Sequence, residues 1–312
     1  MKETTAMMVL MTDSEKSEKV QPVILRERSD RGISKCEILR GAQNDKENLC
    51  KSPISGGWEG SLRGGRGTTG ETPAATVPPA LPSNNLILIG TVHGDPRGYE
   101  RALKLLTHLR PDLITVEISR FSLRYRRRQE SRWQRLLGRG LQELPAGASE
   151  HLAIRRLIAQ VALPFEVQAA QDWGRGHGVP WRPLDLGSLA RRHLPGYARE
   201  LLTPGNLQAL LTTAADQSLE DFVAAEFRRA RLAYLRAPRR LFPAHDGETR
   251  RRERFLARRL RRLAGCGGRV AHLGGWEHLV DWRDGGLWPE LQGLNPWRLL
   301  LDEADAIPVR GR

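Results

Sequence analysis

The sequence predicts an α/β protein with a mostly parallel sheet, flanking helices and a large helical insertion. Three observations lead there. Leu86-Ile87-Leu88-Ile89 is a short, uninterrupted apolar run, the composition of a strand covered on both faces. A helical pattern and a second apolar run at 113–118 follow it, so 86–118 has the size of a strand–helix–strand crossover, about 33 residues. Helical patterns then alternate with only two further strand-like runs, at 179–186 and 269–275, which suits one sheet carrying a helical insertion.

Each element has its own reason. In 98–109, Tyr99, Ala102, Leu103, Leu106 and Leu109 recur at helical spacing, and Pro111 closes the helix. Residues 119–137 are Arg-rich and helical. Residues 149–163 and 165–176 are two more helices, parted by Pro164. The run V-P-W-R-P-L-D-L at 179–186 contains two prolines, which confines it to an edge or to a short strand. Residues 189–202, 205–214 and 219–235 form a helical block. In 249–264, Phe255, Leu256, Leu260 and Leu263 share one face. Gly265-Cys266-Gly267-Gly268 stops that helix, and R-V-A-H-L-G-G at 269–275 is the last clear strand.

Composition sets the outer limits. Of 312 residues, 39% are hydrophobic, enough for one sizeable core or two small ones. No run reaches the roughly 18 apolar residues of a membrane span. The patch Met7–Met11 has acidic residues on both sides and no cleavage pattern, so it is a poor signal peptide. Three cysteines (Cys36, Cys50, Cys266) make no disulfide framework and suit a reducing compartment, so the expected localisation is cytoplasmic. The formal charge of +14 is unevenly placed. Residues 1–83 hold 12 Lys+Arg against 11 Asp+Glu, whereas 84–312 hold 37 Arg and 1 Lys against 25 Asp+Glu. Residues 1–83 also lack a core pattern and end in a Pro/Ala linker at 72–82, so they are expected to be a disordered or spurious extension. Residues 24–47 resemble conceptual translations of dispersed bacterial repeat DNA, which would place the true start near the linker; an ordinary disordered tail is the alternative. The folded domain is expected over 84–312.

The chemistry gathers at strand ends. Gly90-Thr91-Val92-His93 follows the first strand and Gly275-Trp276-Glu277-His278 follows the last, both as G-x-x-H. Glu117 lies near the end of the second strand and Asp185 near the end of the third. Ligands of open parallel sheets bind outside the carboxyl ends of the strands, so two histidines and two acids are expected on one rim. Imidazole with carboxylate suits a divalent metal, or a general base held by an acid. One G-x-x-H alone is a weak signal; two, each directly after a buried-type strand, make a convergent site. For Glu117 the plainer alternative is a salt bridge to a neighbour such as Arg120.

L-I-L-I-G-T-V-H-G, R-P-D-L-I-T-V-E-I, E-R-F-L-A-R-R-L and R-V-A-H-L-G-G-W-E-H-L together resemble the TraB/PrgY/GumN family, which belongs with the Tiki proteases and the erythromycin-esterase/ChaN-like superfamily. The similarity spans about 84–281. It implies an α/β fold with both G-x-x-H motifs facing one pocket, and hydrolysis of a peptide, amide or ester bond. In Tiki-like members the cleavage is metal-dependent; in the esterase branch a histidine acts as base without a required metal. Carried over, the resemblance implies His93, His278 and a carboxylate, Glu117 or else Glu253, as ligands of a divalent ion of the Mn, Co or Zn type. It implies Glu117 and Glu253 as catalytic carboxylates and Arg254 as the group facing the oxyanion. P-F-E-V-Q-A-A makes Glu166 a further candidate, and P-L-D-L makes Asp185 one. The second motif departs from the family in its bulky Trp-Glu interior, which narrows the pocket or makes it more acidic. Membrane-anchored relatives end in several apolar helices; L-L-L-D-E-A-D-A-I-P-V-R-G-R here implies a soluble member.

Other residues have plainer readings. His272, inside a strand, is expected to be a satisfied core histidine, and His151, His177 and His245 surface residues. Glu277 is either an acid supporting the site or an exposed turn residue, and Cys266 is a small turn residue. Arg124-Tyr125-Arg126-Arg127-Arg128, Arg250-Arg251-Arg252 and Arg258, Arg259, Arg261 and Arg262 are expected to be solvated helix faces, because the last four avoid the apolar positions 256, 260 and 263. No nucleic-acid recognition motif accompanies them, so only non-specific polyanion affinity is expected. The expected partner is a peptide or small-molecule substrate. The non-catalytic alternative is a protein that binds and sequesters a peptide or small ligand.

Overall fold

The computed structural model describes residues 85–213, 217–235, 247–282 and 285–308. The expected extension at 1–83, with Cys36 and Cys50, lies outside these, as does His245. Five parallel strands form one sheet: β1 (Leu86–Thr91), β2 (Leu113–Val116), β3 (Trp181–Pro183), β4 (Val270–Gly275) and β5 (Trp297–Leu300), in the spatial order β3-β2-β4-β1-β5. β1 is buried at every position, as an apolar run covered on both faces must be. The Pro-flanked β3 sits at an edge, where the hydrogen bonds proline cannot donate are not required. The other edge, β5, lies beyond the last strand expected from sequence: its W-R-L-L is too short, and interrupted by Arg298, to stand out.

Ten α-helices pack around and beyond the sheet among the described residues: α1 (Gly98–Leu109), α2 (Arg120–Gln142), α3 (Leu152–Val161), α4 (Phe165–His177), α5 (Gly187–His193), α6 (Tyr197–Glu200), α7 (Pro204–Leu210), α8 (Leu219–Leu235), α9 (Gly247–Ala264) and α10 (Leu287–Leu291). The main core joins the sheet to Leu105 and Leu106 of α1, Val167 of α4, Phe227 of α8 and Leu256 and Leu260 of α9. The helical insertion carries a second core built on Trp133, Ile154, Leu157, Leu194, Leu207 and Leu210. Rings tie it together: Phe121, Tyr125, Trp133 and Tyr197 follow one another at centroid separations of 5.5, 6.0 and 5.6 Å. Both cores close on the carboxyl side of the sheet through α2, which leaves β2 directly and is capped by Ser119 accepting from Ser122 N. No helix among the described residues is long and apolar enough to cross a membrane.

Strand order decides what meets at that rim. β4 inserts between β1 and β2, so three strands end side by side. Gly90 pairs with Gly274, Thr91 with Gly275, and Val116 with Leu273. This register sets Thr91, Glu117 and Gly275 at one level and sends the two G-x-x-H turns off neighbouring strands.

Candidate active site

The first half of the site is a histidine–carboxylate pair. His93 sits in the turn after β1, and Gly94, at φ +76°, supplies the left-handed conformation that turns the chain toward α1. His93 Nδ1 lies 2.7 Å from Glu166 Oε1. Glu166 is fully buried in the first turn of α4, where the helix dipole favours a carboxylate. Thr91 Oγ1 is 2.8 Å from the same Glu166 oxygen and 3.1 Å from Gly274 O. Burial pushes the Glu166 carboxyl up, but the charge and hydrogen bond of His93 outweigh it and hold the group below its ordinary value. An ionised Glu166 accepts a proton from His93 Nδ1, so whenever the ring is neutral its lone pair is on Nε2.

The second half is a buried ion network. Glu117 Oε2 accepts from His278 Nε2 at 2.8 Å and from Gly275 N at 2.7 Å, and Glu117 Oε1 accepts from Arg252. Glu253 Oε2 meets His278 Nδ1 at 2.9 Å. Arg252 Nε and Nη2 grip Asp185 through both carboxylate oxygens, each at 2.7 Å. Burial pulls the His278 imidazole down, and the flanking charges of Glu117 and Glu253 more than reverse it, raising it to about 10. Burial also raises the carboxyls of Glu117 and Glu253, and His278 with Arg252 brings both below their ordinary value. The approach is close: a Cβ on Gly274 would stand 2.8 Å from Glu117 Oε2. Behind the network lies His272, whose Nδ1 is 2.9 Å from Thr115 Oγ1 and whose Nε2 has no partner among the described residues. Burial, then the positive charge of His278, lowers His272 to about 4, so it is neutral.

Several expectations need correcting. Both nitrogens of His278 are engaged by glutamates, Nε2 by Glu117 and Nδ1 by Glu253. Glu117 has both oxygens engaged, and no three His, Cys, Asp or Glu side chains among the described residues are grouped to hold an ion. The donor set His93, His278 and Glu117 therefore does not fit a divalent ion of the Mn, Co or Zn type. Arg254 is also misplaced: its side chain is 66% exposed and reaches Glu290 at 3.9 Å, away from the site. The site arginine is Arg252, only 2% exposed. The apolar stripe of α9 could have found it, since Arg252 lies four residues before Leu256 and eight before Leu260. Glu117 is in an ion pair, with Arg252 rather than Arg120. His272 is a core histidine, though satisfied at one nitrogen only. His151 is the half-buried N-cap of α3, whereas His177 is exposed as expected and bonds Trp173 O at 2.8 Å.

A cavity of about 270 Å³ opens beside both halves. His93, Glu117, Glu166, Arg252, Arg126 and His193 supply its polar wall, and Val116, Ile118, Leu163, Phe165 and Leu273 its apolar one. Glu253 and His278 do not line it. Three of the wall residues carry a buried atom without a partner among the described residues: Glu166 Oε2, Arg252 Nη1 and His193 Nε2. Such atoms are costly and mark where a ligand or water completes the set. No family model, curated protein or solved structure matches the chain. The site stands on its geometry: a histidine held by a buried acid, at a cavity with a guanidinium in its wall.

Proposed function

We propose that the chain hydrolyses a peptide, amide or ester bond by general-base catalysis at His93, without a metal. The observation that carries this reading is the 2.7 Å contact between His93 Nδ1 and buried Glu166 at the cavity wall. His93 Nε2 takes a proton from water, and the hydroxide adds to the substrate carbonyl carbon. Glu166 stays ionised and stabilises the imidazolium. Arg252, fixed by Asp185 and Glu117, faces the oxyanion with Nη1, the part the resemblance gives to Arg254. The carbonyl then re-forms, the bond to nitrogen or oxygen breaks, and the imidazolium returns its proton to the leaving group. His278 and Glu253 act one step removed, by holding Glu117 and hence Arg252. This is the metal-free branch of what the resemblance to the TraB/PrgY/GumN family implies.

The test is a panel of fluorogenic peptide, amide and ester substrates with wild type and Glu166→Gln. The glutamine keeps a hydrogen bond to the ring but not the charge. The expected result is turnover of at least one class, with kcat lowered about tenfold to a hundredfold in the variant and KM little changed. Tight binding of panel members without turnover by wild type would replace catalysis with sequestration.

A further inference from the structure

Three of the arginines expected on solvated helix faces, Arg124, Arg128 and Arg259, line a groove with Arg120 and Arg191. Arg120, Arg124 and Arg128 stand at i, i+4 and i+8 on α2, so they rise along one face in steps of about 6 Å. With Arg191 of α5, Phe121 and Tyr125 they enclose a cleft of about 320 Å³. Arg120, Phe121 and Arg191 also wall a second cleft of about 160 Å³, completed by Phe255 and Arg259 of α9 and by Asp185. The shared walls make the two clefts one groove.

The five guanidiniums are exposed, and none has an acidic partner among the described residues. Arg97, Arg155, Arg192 and Arg231, by contrast, each hold an Asp or Glu. The only acid in the groove wall, Asp185, is already taken by Arg252. Like charges spaced four residues apart on a helix repel, so the stripe stands against its own electrostatics until an anion lies along it. Flat surfaces alternate with the charges. Phe121 stacks on Tyr125 at 5.5 Å, Arg191 lies 5.3 Å over Phe121, and Arg259 lies 5.3 Å over Phe255. A ligand matching both features has regularly spaced anions and planar groups.

We propose that this groove binds single-stranded nucleic acid, with arginines on phosphates and the outer guanidinium planes of Arg191 and Arg259, each backed by a ring, against bases. A duplex offers the phosphates but keeps its bases stacked inside, away from the guanidinium planes. An acidic peptide meets the charge but offers nothing for the planar faces.

The test uses the full chain and a labelled oligo-uridine strand of about 20 nucleotides, with binding followed by fluorescence anisotropy over a range of salt. The strand should bind at least about tenfold more tightly than a duplex of equal length. Arg124→Ala with Arg128→Ala and Arg191→Ala should weaken binding at least about tenfold and lower the salt slope by about 2, as three lost phosphate contacts require. Lysine at the same three positions should keep the slope and still weaken binding, because the charge stays and the planar faces go. Replacing Arg139, Arg250 and Arg262, which lie off the groove, by alanine should leave affinity within about twofold. The proposal is overturned by equal loss in the groove and control variants, by equal or tighter binding of the duplex, by displacement with poly-glutamate as effective as with unlabelled strand, or by no binding at low salt.

Discussion

Raising the pH should unlock the two glutamates that hold His278. The folded protein lifts this imidazole from 6.5 to about 10, so its stabilising effect is complete below pH 6.5 and is lost as pH climbs through 10. At about 1.4 kcal/mol per pKa unit, the full loss is on the order of 5 kcal/mol. Domains of ordinary stability hold roughly 5–15 kcal/mol, so the effect is a large share of the total. Urea unfolding followed by circular dichroism at pH 6.5, 8, 9 and 10 reads it directly. His278→Gln is the matched control. It removes the cation between Glu117 and Glu253 and leaves Glu117 to Arg252 alone, which lowers stability by about 3–5 kcal/mol at pH 6.5 and removes most of the alkaline dependence. At about 2–4 °C per kcal/mol, the variant should melt roughly 10 °C lower. A wild-type stability that stays flat from pH 6.5 to 10 would refute the buried-cation reasoning. So would an alkaline loss of equal size in the variant.

Acid should weaken the same region from the other side. His272, lowered from 6.5 to about 4, loses its contribution as pH falls from 6.5 toward 4, and the depressed carboxyls of Glu117, Glu166 and Glu253 lose theirs below 4.5; melting temperatures between pH 7 and 3 should fall through both ranges. Arg252→Lys gives up the two-oxygen grip on Asp185 and should lower stability by about 2–4 kcal/mol in chemical denaturation. Arg254→Ala, two residues along on the exposed side, should stay within about 0.5 kcal/mol in the same assay. Gly274→Ala places a methyl 2.8 Å from Glu117 Oε2 and 3.1 Å from His272 Nε2, and should cost about 1–3 kcal/mol by differential scanning calorimetry.

The rim of the sheet was legible in the sequence because its signals are local. A both-faces apolar strand followed by G-x-x-H places a histidine at a carboxyl end, and two such strands placed His93 and His278 there correctly. The jobs of the two histidines were not legible, because they depend on what packs against each ring. His93 meets one acid and a cavity; His278 meets two acids and no cavity. Only tertiary packing turns one toward a cavity and encloses the other between two carboxylates. Arg252 and Arg254 differ by two positions, about 200° around α9, so reading the motif by adjacency chose the exposed one where helical phase selects the buried one. β5 escaped because a four-residue strand at an edge carries almost no periodic signal.

The most direct test of the account is the hydrolysis rate in excess chelator, measured for wild type and for His93→Ala on the substrate that the panel selects. Chelation should leave the wild-type rate unchanged, and the alanine variant should be about a hundredfold slower or worse while keeping the wild-type circular-dichroism spectrum at the assay temperature. Loss of wild-type activity on chelation, with recovery on adding a divalent ion of the Mn, Co or Zn type, would contradict it. So would a His93→Ala enzyme that hydrolyses at the wild-type rate.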